Sequence, residues 1–276
     1  MKVIKSTERD IDRAVDLAFS MQSNKETRCR HLFIDATRKE IYDLFMSYIK
    51  RDEHELLLVE KDGRLEGVTP IYWIEEDFYV SYEQGPYGYD YEAVSNCLLE
   101  YVVQNFKGYT FYINTANEHV KSINFYKSKD FEYAEKAVLL RLEDYKSEYE
   151  NDCVQEVNSK NSKVIYEWIE NHINEDTYWN SKRINENLDQ FMILGYFDNE
   201  MKGHIIGRGK KDYTEVIAFS GDESVKEELF KSLITTAYKN GVKEIDLYTE
   251  DDYEESLGLK YGFKFYDSNN CFIKTL

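Results

Sequence analysis

The segment Ile113–Phe131, INTANEHVKSINFYKSKDF, carries the side chains of this chain with the clearest chemical potential. Its spacing reads as a strand end, a helix and the start of another strand. Asn117 falls just past the first strand, and Tyr126 falls in the last turns of the helix. A phenol can donate a proton; it can also be one more core aromatic in a chain with 24 tyrosines. Asn is a preferred helix cap, so Asn117 has an ordinary structural use as well. His119 follows closely and is expected on the surface. His31, His54, His119, His172 and His204 show neither metal-ligand spacing nor a triad with a nucleophile. Cys29, Cys97, Cys153 and Cys271 stand far apart without a CxxC pair, which suggests neither a zinc site nor a disulfide framework. The aromatic series Tyr72, Trp73, Phe78, Tyr79, Tyr82, Tyr87, Tyr89 and Tyr91 offers ring faces for apolar bodies or cations. Alternate members within strands read as core, and Tyr87 and Tyr89, in a predicted loop, as better pocket linings.

These side chains must be held by a repeated set of elements. Leu56–Glu60 and Leu65–Ile74 flank Asp62-Gly63, a strong hairpin signal because a tight turn needs positive φ at its centre. Phe191–Gly209 repeats the pattern. Gly67 and Gly203 are 203 − 67 = 136 positions apart, and Asp62 and Asp198 keep that spacing, 198 − 62 = 136. Helical stripes follow at Tyr91–Asn105 and at Val225, Leu229, Leu233 and Ala237. Each leads to a short strand, Tyr109–Ile113 or Glu244–Tyr248, then to a helix and a Phe, Phe131 or Phe263. The last strands are Lys136–Leu142 and Asn270–Lys274. Weaker helical patterns open each half, at Asp10–Met21 with Lys39–Arg51 and at Ser162–His172 with Lys182–Leu188. The polar stretch Glu143–Asp152 is the expected join. The reading is an α/β chain of two domains, 1–145 and 146–276, each a mixed, mostly antiparallel sheet flanked by helices.

Bulk composition narrows the function. The 276 residues are 42% hydrophobic and 15% aromatic, enough for real cores. A net charge of −18 disfavours nucleic acid and anionic membranes as partners and weakly favours a cationic substrate such as an amine. MKVIKSTERD has no apolar core of a signal peptide and no stretch reaches membrane-span length, so a cytoplasmic protein with reduced thiols is expected.

The segment 113–131 resembles the "N … Y-x-x-x-G-F" region of the GNAT superfamily of N-acetyltransferases, with Asp130 where the family usually has Gly. The order of elements resembles that family twice over. The resemblance implies acetyl-CoA as the acyl donor, no metal, and direct transfer to a primary amine of a small molecule or peptide. It implies Tyr126 beside the sulfur, as proton donor to the leaving thiolate, and Asn117 on the cofactor arm. The family's phosphate cradle, Q/R-x-x-G-x-G/A, aligns with Asp90-Tyr91-Glu92-Ala93-Val94-Ser95. Ala93, Val94 and Ser95 would then offer backbone N–H groups to the pyrophosphate, although Asp90 would repel it. Glu75, Glu76, Asp77 and Glu83 lie along or beside the family's acceptor-lining strand, and Glu83, nearest the cradle, is the expected general base. In the second half Gly258 takes the place of Tyr126, and acids surround the helix start at Gly221–Lys226, so that half reads as a degenerate copy shaping the acceptor site. Two other readings remain open. One is a catalytically inactive protein that binds a ligand or partner through the old site. The other is an aminoacyl-tRNA-dependent transferase of the same paired fold, against which the charge counts.

Overall fold

The computed structural model describes residues 1–29, 36–82, 85–158, 160–173 and 179–276, and they divide into two compact units. The first comprises Met1–Ala137 with Asp267–Leu276; the second is Val138–Tyr266.

In the first unit, helices α1 (Ile11–Gln22) and α2 (Arg38–Lys50) follow the short strand β1 (Lys2–Lys5). Then come β2 (His54–Lys61), β3 (Arg64–Ile74), β4 (Tyr79–Tyr82), β5 (Tyr87–Gly88), α3 (Tyr91–Asn105), β6 (Thr110–Ala116) and α4 (Val120–Ser128), before β7 (Glu132–Glu143) begins. The end of the last strand, β13 (Lys264–Thr275), closes the sheet, whose order is β1-β2-β3-β4-β6-β13. All pairs are antiparallel except β4 with β6. Asp62 and Gly63, at φ 52° and 80°, make the tight turn of the β2–β3 hairpin. One apolar layer packs α3 and α4 on one face of the sheet through Val94, Leu98, Phe111 and Phe125, and a second packs α1 and α2 on the opposite face, with Leu57 and Val59 of β2 turned to the first and Leu56 and Leu58 to the second.

The second unit repeats the plan. It contains β8 (Val154–Glu156), α5 (Ser162–His172), α6 (Ser181–Glu186), β9 (Phe191–Asp198), β10 (Glu200–Arg208), β11 (Tyr213–Ser220), α7 (Glu223–Lys239), β12 (Glu244–Thr249) and α8 (Asp252–Lys260). Its order, β8-β9-β10-β11-β12-β7, matches the first, and its one parallel pair is again the fourth strand with the fifth. Even the irregularities repeat. The β3 register slips at Glu66 and the β10 register at Lys202, 202 − 66 = 136 positions on. Beside each bulge sits a glycine whose Cβ would collide with a helix valine: Gly67 with Val94, Gly203 with Val225. The repeated glycines are there to let the helix close on the hairpin.

The expected boundary between 145 and 146 needs correction. Val138–Glu143 of β7 pair with β12 and belong to the second unit, whereas Asn269–Thr275 of β13 pair with β6 and belong to the first. The two closing strands are exchanged. Buried polar ties hold this pairing. Arg28 forms a bidentate pair with Asp267, and both side chains are almost fully buried. Arg141 grips Asp246 at 2.8 and 2.9 Å, with Asp246 wholly buried.

Candidate active site

In each unit the parallel pair separates towards its C-terminal end. β4 pairs with β6 only over Tyr79–Ser81 and Thr110–Tyr112, after which β6 runs on alone to Ala116. The helices that follow these strands, α3 and α4, flank a cavity of about 640 Å³. Tyr89, Asp90, Tyr91 and Glu92 line it from the start of α3, and Lys121, Asn124, Phe125 and Ser128 from α4.

Behind Tyr91 lies a buried group of hydroxyls. The Tyr91 hydroxyl donates to Ser122 Oγ at 2.8 Å. Tyr126 is 1% exposed, its ring packed edge-on against Phe125 and Phe131. The hydroxyls of Tyr82, Ser95 and Tyr126 are buried with no hydrogen-bond partner. Those of Ser95 and Tyr126 approach the Tyr91 hydroxyl closely enough to influence its ionisation, without forming a well-shaped hydrogen bond. Burial, and then the neighbouring phenols, push the Tyr126 and Tyr82 hydroxyls well above the usual phenol range. They therefore stay protonated at any working pH. An unpartnered buried hydroxyl costs about 1–3 kcal/mol, so these three are groups that a water or a bound polar ligand would satisfy.

The expected phosphate cradle is partly occupied by the protein itself. The Asp90 carboxylate accepts the Ala93 N–H at 3.2 Å, and the Asp90 carbonyl accepts the Val94 N–H at 2.9 Å. Val94 is fully buried under Gly67 and Gly88, and Ser95 points inward. Asp90 is thus a helix cap whose charge sits where an anion would.

Asn117 is neither on the cavity nor a cap. Its side chain donates to Ser268 Oγ and accepts from Asn270, which fastens β13. The cap of α4 is His119, whose Nδ1 accepts the Ser122 N–H at 3.1 Å. This histidine, expected at the surface, is 2% exposed against the Tyr91 ring. Burial, and then the nearby Lys121 charge, lower its pKa to about 4. Glu83 lies outside the described residues. Glu75, Glu76 and Asp77 are exposed in the β3–β4 turn, at the end of β4 remote from the cavity, so they do not serve the site. Tyr87 is on β5, is 1% exposed and donates to Gln22, so it is core; Tyr89, 68% exposed, does line the cavity.

Tyr82 and Tyr91 stand in the sequence among eight clustered aromatics with nothing to distinguish them, and Ser122 and Arg28 carry no local signal at all. The Arg28–Asp267 pair spans 267 − 28 = 239 positions and left no local signal.

The second unit lacks this chemistry. Asp222 caps α7 through the Val225 N–H at 2.9 Å, and Lys226 is held by Glu254 at 2.6 Å. At Gly258 any Cβ would meet Leu140 and Leu247, so the space of a tyrosine is filled.

The sequence matches no protein-family model and no curated protein. Solved structures do match over nearly the full length. A GCN5-related N-acetyltransferase from Sphaerobacter thermophilus superposes with a TM-score of 0.70 at 10% identity, over 99% of this chain and 94% of that one. A tandem GNAT protein from the clavulanic acid biosynthesis pathway gives 0.62 at 9% identity, over 99% and 98%. The fold is that of the GCN5-related N-acetyltransferases. A third GNAT structure, from Anabaena variabilis, gives 0.51 at 11% identity, over 99% and 72%. In the GNAT fold of this chain the cavity lies between the start of α3 and α4. Among the described residues no three His, Cys, Asp or Glu could hold a metal ion, and no helix is long and apolar enough to cross a membrane.

Proposed function

We propose that the first unit is an acetyl-CoA-dependent N-acetyltransferase that acts on a primary amine of a small molecule or peptide by direct transfer. The observation that carries this reading is the set of three buried, unpartnered hydroxyls behind the α3–α4 cavity. They supply donors for the charge that develops as a thioester is attacked. Tyr126 faces a thiolate as a hydrogen-bond donor rather than a strong acid. Its pKa lies above that of a thiol, near 8.5 in ordinary peptides, so full proton transfer is uphill while donation to the sulfur is favourable. The chain's net charge of −18 attracts a protonated amine.

The phosphate end fits acetyl-CoA less well. Lys121 is the one cation among the residues named around the cavity. Asp90 must yield the Ala93 N–H before a pyrophosphate can use it. A loosely held donor is therefore expected. The second unit supports the fold without its own donor site.

Titration calorimetry with acetyl-CoA, followed by a thiol-release screen of polyamines, aminoglycosides and amino acids, tests the reading. Binding in the first unit with thiol release for at least one amine supports it. No heat at millimolar acetyl-CoA rejects it in favour of a ligand- or partner-binding protein.

A further inference from the structure

The second unit, empty of the tyrosine chemistry, carries a different constellation at its own strand opening. β11 pairs with β12 only as far as Val216 and Leu247, and Ser220 stands at the free end of β11. Its hydroxyl oxygen receives two N–H groups: the backbone N–H of His204 at 3.1 Å and Trp168 Nε1–H at 3.4 Å. With both donors pointing at the oxygen, the serine proton is directed to His204 Nδ1, 2.7 Å away. Nδ1 is therefore the acceptor, and the imidazole proton resides on Nε2, which is buried without a partner. His204 is 1% exposed and Ser220 half-buried; over them lies the Trp168–His172 stack, with ring centroids 3.9 Å apart and His172 at the surface.

We propose that Ser220 is a nucleophile, with His204 as its proton acceptor, that takes the acyl group of small uncharged esters or thioesters. A base at hydrogen-bond distance is what raises a serine's reactivity; burial, which lowers the His204 pKa to about 4, keeps Nδ1 unprotonated and able to accept while making it a weak base. The donors stabilise negative charge building on Oγ as its proton moves to Nδ1. Oγ forms a bond to the acyl carbon, the carbon–oxygen or carbon–sulfur bond to the leaving group breaks, and the proton on Nδ1 goes to that leaving group. Water then hydrolyses the acyl-serine and restores the hydroxyl. Asp222 and Glu223, exposed just beyond Ser220, repel anionic acyl donors. Nothing in this scheme depends on the cavity of the first unit.

The full chain incubated with p-nitrophenyl acetate is the test. A burst of p-nitrophenol, one acetyl added per chain, and its recovery on the peptide containing Ser220 are expected. Ser220→Ala should lose that adduct and slow the burst by roughly 10²-fold. Trp168→Phe keeps the ring packing, removes one N–H donor and should slow acylation to a lesser degree. If Ser220→Ala does not fold, peptide mapping of the wild type decides alone. No adduct on Ser220, or an undiminished burst in Ser220→Ala, overturns the proposal. So does a burst that depends on Tyr126 instead, which would assign ester cleavage to the first unit.

Discussion

At the scale of single residues the decisive group is the Tyr126 hydroxyl, held protonated by burial and without a partner. Tyr126→Phe removes only that oxygen. Acetyl-CoA affinity should stay nearly constant while turnover falls roughly 10²–10³-fold, the effect of losing one hydrogen-bond donor to developing charge. Because the oxygen is unsatisfied, the same change should also raise the unfolding free energy, by about 1 kcal/mol. A gain in stability with unchanged turnover would make Tyr126 core material and leave Tyr91, which does line the cavity, as the donor. Asp130 gives a purely structural counterpart. It has φ 57°, and its equivalent Gly262, 262 − 130 = 132 positions on, has φ 89°. Asp130→Gly should therefore stabilise by up to about 1 kcal/mol in denaturant titration, since only glycine adopts this region freely. His119 titrates in a direction that can be checked. Its folded pKa of about 4 lies below the ordinary 6.5, so the unfolded chain binds the proton first. Its contribution is whole above pH 6.5 and is lost as pH falls towards 4, by about 3 kcal/mol at most. His119→Asn keeps a good cap and removes the titration. Its urea midpoint should fall less than that of the wild type between pH 7 and 4.

At the scale of elements, α3 opens on Asp90, which caps the helix and holds negative charge at the expected phosphate position. Asp90→Ser keeps a strong cap and removes the charge. Calorimetry should then show acetyl-CoA binding more tightly, by several-fold, with helix stability nearly unchanged. A weaker affinity would mean the pyrophosphate does not lie against this helix start. The hairpins, the stripes of α3 and α7 and the 136-residue repeat were legible in the sequence because each is written in neighbouring residues: turn chemistry, spacing, a glycine beside a bulge. Tyr126 was legible as a helix-end aromatic, and Asp90 as an ill-placed charge. The rest depends on contacts distant in sequence. His119 looks like a surface residue until the Tyr91 ring covers it. Asn117 looks like a cap until β13 arrives to take its side chain. No local pattern announces that Ser220 and His204, on neighbouring strands, share a proton.

At the scale of the molecule, the exchange of closing strands is the main departure from a simple tandem. Arg28 secures it in the first unit, and breaking one partner of a buried pair typically costs 3–5 kcal/mol. Arg28→Met, which leaves Asp267 buried and alone, should lower hydrogen-exchange protection throughout Met1–Ala137 and leave Val138–Tyr266 protected. Loss spread equally over both units would mean they unfold as one. The exchange also orders events during synthesis. The first unit waits for a strand encoded 266 − 137 = 129 residues after its main segment ends. At translation rates of about 5–20 residues per second that is roughly 6–26 s. Throughout that time β6 presents an unpaired edge on the nascent chain, a template for wrong pairing. A premature stop near residue 266 would therefore cripple the part of the protein made first and spare the part made last, and the nascent first unit should be a client for whatever shields open strands at the ribosome.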